Sequence, residues 1–475
     1  MTQRRCHENI CLPPKTFITT RPVEVEIFIT YKVKLAESYA IPMKKLVLLI
    51  VGVITVTIAF TQRTGNKKQV KIVPYQQGYQ LLVNNKTYFL KGAVGSNYLQ
   101  KLQLYGGNSI RTNSNVKVLN EADSLGLTAL INLPVRAERD GMNYDDTLAV
   151  KAQHIKVMDI VRKTKNHPAV IMWALGNELD FIQANVKEHY NIKVWDAVNA
   201  LSKEIHRVDP YHPVMTVVGS IDSGKINDLL TKAPDLDLLG INEYGDLGKI
   251  PGWLRQFGWK KPYAVTEWGP TGFWQVPKTA WKAPIEETST MKAAKYKERY
   301  EQTIAGDKEM CLGSFVFLWM QHQERTHTWF GMFDANGLET EAVDVMHFNW
   351  TGKWPKNRTP QLDSMKIEGL TAYNNVYLHP DVTYTAQVWI SEPDKDSIVY
   401  NWEILKEGTS FPYGGNGEQK PPVLQGLIDT TNTSKITFKS PVKQGAYRLF
   451  VYGYDGKGHW ATANIPFYVK LGLPG

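Results

Sequence analysis

Cysteine is scarce: the chain has three, of which Cys6 and Cys11 lie near the start and Cys311 alone lies in the body. That excludes a disulfide framework and any Cys-based metal spacing. A Gly-rich turn after the first apolar strand is also missing, which argues against a doubly wound nucleotide-binding sheet. The apolar run Leu46–Phe60 stops at 15 residues, short of the roughly 20 that a spanning helix needs. Excess charge is missing from the body as well. The formal net charge is +9, but residues 1–68 hold eleven Lys/Arg against four Glu, which leaves +2 for residues 69–475. A nearly balanced body excludes a phosphate-backbone binder, so no nucleic-acid partner is expected.

The basic leader has its own pattern. Met43-Lys44-Lys45 precedes the apolar run, and TQRTGNKK follows it. A short positive region before an apolar stretch of this length reads as a secretory signal over 43–68, with an uncleaved anchor at 46–60 as the alternative. Export to the periplasm, cell surface or exterior is the expectation, with membrane contact only through that anchor. Residues 1–42 show no sustained periodicity and read as an N-terminal extension outside the fold.

From about residue 70 the chain alternates β-type runs with amphipathic segments. A hairpin-like stretch turns on Asn84-Asn85. Eight candidate strands follow: 89–95, 108–113, 128–135, 170–178, 213–219, 238–244, 263–269 and 313–319. Between them VKVLNEADSLG and VWDAVNALSKEIHRV show the i, i+3/i+4 apolar spacing of helices. Eight strand–helix alternations predict a (β/α)₈ TIM barrel over 69–355. After the linker residues Trp354, Pro355 and Pro360, short alternating strands predict an immunoglobulin-like β-sandwich over 361–471. No internal repeat is evident.

Chemistry in such barrels sits at the C-terminal strand ends. Glu178 follows Asn177 at the end of the fourth candidate strand, and Glu267 ends the seventh, 89 residues later. That is three β/α units, so the two carboxylates face each other across the barrel mouth. A pair in unlike electrostatic settings suits glycosidic bond cleavage. One carboxyl stays protonated to donate to the leaving oxygen, and the other stays ionised to attack the anomeric carbon. The bland alternative is that both are strand-end or helix-capping residues.

The local sequences go further. HPAVIMWALGNELD (167–180) resembles the acid/base segment of the clan A glycoside hydrolases, and KPYAVTEWGP (261–270) their nucleophile segment. GGNSIRT (106–112) and GINEYG (240–245) resemble the second- and sixth-strand segments of glycoside hydrolase family 2 catalytic domains. The likeness covers about residues 70–350. It implies Glu178 as general acid/base, Glu267 as nucleophile, Asn177 on the sugar 2-hydroxyl, Tyr244 orienting Glu267, and Arg111 supporting the nucleophile's charge from below. It also implies a retaining β-glycoside hydrolase acting on an oligo- or polysaccharide, without cofactor. Two departures stand out. The β-sandwich domains that precede the barrel in full-length family 2 enzymes are absent here, and His212 replaces a frequent Arg.

Other residues have two readings each. Trp319 at the end of strand eight is expected to stack under the sugar, with barrel-core packing as the alternative. Trp268, Phe273, Trp274 and Trp281 form either an aromatic platform or a packed loop. His322 and His327 line a subsite or are loop residues; their spacing without a ligand triad argues against metal. Alternation points Glu243 away if Tyr244 faces the axis, and Asp180 reads as a loop residue. Trp402, Tyr413 and Trp460 would give the sandwich a carbohydrate-binding role if exposed, against a structural role beside the barrel. Two further functions stay open: a β-glucan-type transglycosidase using the same pair, and a catalytically silent glycan-binding barrel. The oligomeric state is not readable.

Overall fold

The computed structural model describes residues 67–182, 189–409 and 418–472. Residues 43–66 of the expected leader, the anchor at 46–60 among them, and Tyr413 lie outside these residues. Strands β1 (Val70–Tyr75), β2 (Gly78–Val83) and β3 (Lys86–Thr87) form a small antiparallel sheet. Asn84 and Asn85 both hold positive φ, 51° and 62°, as a two-residue hairpin turn requires.

Eight parallel strands then close into a barrel: β4 (Leu90–Val94), β5 (Ser109–Thr112), β6 (Thr128–Leu133), β7 (Val170–Leu175), β8 (Val214–Gly219), β9 (Leu238–Asn242), β10 (Tyr263–Trp268) and β11 (Cys311–Val316). A helix follows each strand: α1 (Leu99–Leu104), α2 (Val116–Ser124), α3 (Thr147–Thr164), α4 (Lys193–Val208), α5 (Ser223–Lys232), α6 (Ile250–Gln256), α7 (Ser289–Arg299) and α8 (Glu341–Thr351). The strands are apolar on both faces because both are covered; every residue of β7 is buried. The helices show one apolar stripe. In α4, Val194, Trp195, Val198, Leu201 and Ile205 are buried at helical spacing. Asp146 starts α3 by accepting from the amides of Leu148 and Ala149.

Two apolar clusters result. One lies between strands and helices. The other fills the barrel with Leu130, Met172, Met215, Val217 and Phe315, and takes in Val70, Leu81 and Val83 of the small sheet. That sheet closes the N-terminal end of the barrel: Val70 N donates to Tyr211 O (3.0 Å) and Tyr79 N to Glu309 O (2.8 Å). A Cβ at Gly78 would lie 1.9 Å from Glu309 O, so only glycine permits this approach. His212, buried beside it, pairs with Asp209 at 2.7 Å. With its lower end plugged, the barrel is open to chemistry at the C-terminal strand ends.

Beyond the barrel, β12 (Gln361–Ile367), β13 (Val376–Leu378), β14 (Thr383–Ser391), β15 (Val399–Lys406), β16 (Lys435–Lys439), β17 (Gly445–Tyr454) and β18 (Trp460–Val469) make two sheets, ordered β12-β14-β16 and β13-β18-β17-β15. Leu362, Val388, Ile404, Phe438, Leu449 and Phe467 belong to their shared core. The sheets dock on the barrel through polar contacts. Arg448 Nη2 donates to Pro284 O (2.9 Å), and Asn464 Nδ2 donates to Glu286 Oε2 (2.7 Å). Trp402 and Trp460 are 3% and 2% exposed: Trp402 faces the sandwich core, whereas Trp460 lies on the opposite sheet face, packed near Leu338 and donating from Nε1 to its carbonyl oxygen (3.1 Å). Burial at these two positions leaves them to the structural role rather than to exposed carbohydrate binding. Among the described residues no helix is long and apolar enough to cross a membrane.

Candidate active site

The two carboxylates meet at the C-terminal mouth. Glu267 lies within β10. Glu178 lies three residues past β7, in a turn where Gly176 and Glu178 both have positive φ (77° and 47°). A non-glycine residue in this region stores local strain, and its neighbours hold it there. Glu178 N donates to Val217 O at 2.8 Å. Arg139 donates to the carbonyl oxygens of Asn177 (3.0 Å) and Glu178. Gly219 leaves room for the side chain, since a Cβ there would lie 3.1 Å from Glu178 Cδ.

A continuous hydrogen-bond network joins the pair. Arg111 on β5 donates from Nη1 to Glu267 Oε1 (2.7 Å) and to Thr266 O (3.1 Å). Its Nη2 donates to Asn177 Oδ1 (2.6 Å) and Asn132 Oδ1 (3.0 Å). Asn242, the last residue of β9, donates from Nδ2 to Asn177 Oδ1 (3.1 Å) and Glu178 Oε1 (2.9 Å), and its own Oδ1 accepts from Thr266 Oγ1 (2.8 Å). With Asn177 Oδ1 occupied by two donors, its amide N–H remains to donate to a ligand. Tyr244 OH donates to Glu267 Oε2 at 3.3 Å. The network therefore brings together Arg111, Asn177, Glu178, Tyr244 and Glu267, all singled out from the sequence.

Their environments differ. Burial, then the charge of Glu267, pushes Glu178 up to about 7, and the Asn242 amide opposes this only in part. Burial raises Glu267 too, but there the Arg111 guanidinium and the Tyr244 hydroxyl both favour the ionised form. The pair titrates as one unit. Within the pair, the Arg111 guanidinium and the Tyr244 hydroxyl favour charge on Glu267, so this geometry favours leaving a shared proton on Glu178. The arrangement can protonate a leaving group from one side and present an ionised oxygen from the other.

Trp319 needs correction. The eighth strand ends at Val316, and Trp319 is 1% exposed. Its Nε1 donates to Tyr98 O (3.3 Å), and its ring packs on Phe333 and Trp350. The chain turns after β11 and carries the indole into the core, leaving no face for a sugar. The aromatic at that strand end is Phe317, edge-on to Tyr244 at 6.1 Å. The residues after Glu267 divide. Trp268 is buried against Tyr296 and Tyr300, and Trp281 packs on Tyr377 and Tyr468 of the sandwich. Phe273 and Trp274 stand at the mouth, with Trp274 half exposed and edge-on to Tyr244 at 5.4 Å.

Glu243 caps its own loop, accepting from Tyr244 N at 2.8 Å. Asp180 pairs with Lys225 at 2.5 Å. His327 turns to the sandwich and meets Tyr452 OH at 2.6 Å, whereas His322 pairs with Glu324 at 3.1 Å. Sequence reasoning missed Asn242, Asn132, Arg139, Phe317 and Glu324. Asn242 had a usable signal, a polar residue ending an otherwise apolar strand. Arg139 had none, because it acts on backbone carbonyls from a loop.

The family model described as "Glycosyl hydrolases family 2, TIM barrel domain" matches residues 114–275. A β-glucuronidase of Paenibacillus borealis is 24% identical over 257 residues, 44% of this chain and 40% of that protein. A β-glucuronidase of Streptococcus agalactiae serotype V is 23% identical over 239 residues, 40% of this chain and 38% of that one. The chain thus spans about two fifths of the length of these relatives. Among solved structures, the β-glucuronidase of Parabacteroides merdae aligns with 86% of this chain and 53% of its own at 13% identity, with a TM-score of 0.45. Family match and closed parallel barrel agree: over residues 114–275 this (β/α)₈ barrel is similar to the TIM barrel domain of glycoside hydrolase family 2.

Proposed function

We propose that this chain is a retaining β-glycoside hydrolase that cleaves O-glycosidic bonds of an oligo- or polysaccharide by double displacement. The observation that carries the reading is the asymmetry of the pair. Arg111 and Tyr244 grip both oxygens of Glu267, while Glu178 is held up to about 7. In the first step Glu267 attacks the anomeric carbon as Glu178 protonates the departing oxygen. In the second, the ionised Glu178 takes a proton from water, which displaces Glu267 from the sugar. Asn177 lends its amide N–H to the sugar 2-hydroxyl, where hydrogen bonds strengthen in the transition state.

The match to family 2 and the names of the relatives support a β-glycosidase. The leader at 43–68 supports an exported one, and cell fractionation tests that part. The reaction is tested with Glu267→Gln and a reactive aryl β-glycoside, following the anomer first released by proton NMR. The proposal requires near-complete loss in the variant and a β-anomer from the wild type. Unchanged turnover in the variant, or release of the α-anomer, refutes it.

A further inference from the structure

A third carboxylate belongs to the barrel mouth. Glu324 lies in the loop after β11, and its side chain is 9% exposed. His322 Nε2 donates to its Oε2 at 3.1 Å. Among the described residues nothing donates to its other oxygen, and no lysine or arginine pairs with it. The His322 ring stands edge-on to Phe317 at 6.1 Å, Phe317 edge-on to Tyr244 at 6.1 Å, and Tyr244 reaches Glu267 at 3.3 Å. One wall of the mouth thus runs without a break from Glu324 to Glu267. The Glu324 charge also opposes ionisation of both Tyr244 and Glu267, so the groups lie within electrostatic reach of one another.

That second oxygen is not among the buried side-chain atoms left without a partner, so it is open to solvent and a ligand hydroxyl can reach it and donate to it. We propose that Glu324, positioned by His322, accepts hydrogen bonds from hydroxyl groups of the sugar held at Glu267, and so selects a neutral hexose over a hexuronic acid. The inference rests on the β-glycosidase reading above and specifies its substrate class. A hexose presents O–H donors that satisfy Glu324. A hexuronate replaces one of them with a carboxylate, which has no proton to donate and adds a negative charge beside Glu324 and Glu267. Nothing described at the mouth is placed to receive that charge. Arg111 is committed to Glu267, Asn177 and Asn132, and Arg139 donates to backbone carbonyls. Lys225 and Lys292 pair with Asp180 and Glu286. The relatives named β-glucuronidases therefore do not define the substrate of this chain.

The test uses the full chain and 2,4-dinitrophenyl β-glycosides of glucose, galactose, mannose and glucuronic acid. The expected result is a kcat/KM at least 100-fold higher on one of the hexosides than on the glucuronide. Glu324→Gln should lower the hexoside kcat/KM at least tenfold, mainly through KM, and narrow the hexoside-to-glucuronide ratio. Preference for the glucuronide overturns the inference and leaves the glycosidase reading standing. So does an unchanged ratio in a folded Glu324→Gln protein. Turnover of none of the four overturns the glycosidase reading, and this inference with it. The wild-type ratio needs no variant, so a misfolded Glu324→Gln protein does not block the test.

Discussion

Removing the Arg111 guanidinium is the sharpest perturbation of this site. Its side chain is 5% exposed and that of Glu267 is 14% exposed, with 2.7 Å between them. Solvent screens such a pair weakly. Replacing Arg111 by Met, of similar length, leaves Glu267 with Tyr244 as its remaining donor and frees Asn132 and one side of Asn177. Breaking a buried pair by deleting one partner costs on the order of 3–5 kcal/mol. Glu267 can escape that cost by keeping a proton, at the expense of its nucleophilicity. Each 1.36 kcal/mol is tenfold in rate, so kcat/KM at neutral pH should fall by roughly two orders of magnitude or more. The acid limb of the pH–kcat/KM profile, set by ionisation of Glu267, should move to higher pH. Arg111→Lys keeps the charge but not the planar fork. It should recover thermal stability ahead of activity. The assay is kcat/KM on a reactive aryl glycoside across pH, with melting temperature measured alongside. An Arg111→Met protein whose acid limb stays in place would show that Arg111 does not keep Glu267 ionised.

Three further outcomes follow from the same geometry. Because Glu178 is held up to about 7, activity that needs its proton should fall as pH rises through that value, and Glu178→Ala should lose far more rate on poor leaving groups than on activated ones. A raised carboxyl costs stability once pH exceeds its ordinary value of 4.5, with the full cost reached above about 7. Thermal melts of Glu178→Gln should therefore show a gain of about 1–3 kcal/mol at pH 8 and little at pH 4; equal gains at both would contradict the raised value. At the barrel–sandwich contact, Glu286 is buried with Lys292 and held down to about 2, burial being outweighed by Lys292 and Arg448. Glu286→Ala leaves Lys292 in place without that partner and should cost roughly 3–5 kcal/mol, read by chemical denaturation.

The barrel itself was legible in sequence because its rule is local. Strands buried on both faces read as apolar runs and helices as apolar stripes, and a parallel sheet built of alternating strands and helices closes at eight units. The hairpin turn was equally local, since Asn84 and Asn85 suit the positive φ it demands. Where side-chain direction depended on a turn, sequence failed. The eighth strand was expected to run to Trp319; it ends at Val316, and the turn beyond exchanges an expected sugar platform for a core residue.

The site divides along the same line. Position at a strand end marks Glu178 and Glu267 in the sequence, since chain direction alone delivers them to the mouth, whereas Asn177, Tyr244 and Arg111 are marked by the resemblance of their segments to the family 2 catalytic domain. What each carboxylate experiences there was a tertiary matter. The guanidinium that favours charge on Glu267 comes from β5, the amide that contacts Glu178 comes from the end of β9, and Glu324 comes from the loop after β11. Desolvation and Coulomb interactions depend on distance in space, so residues far apart in the chain made two similar glutamates unlike.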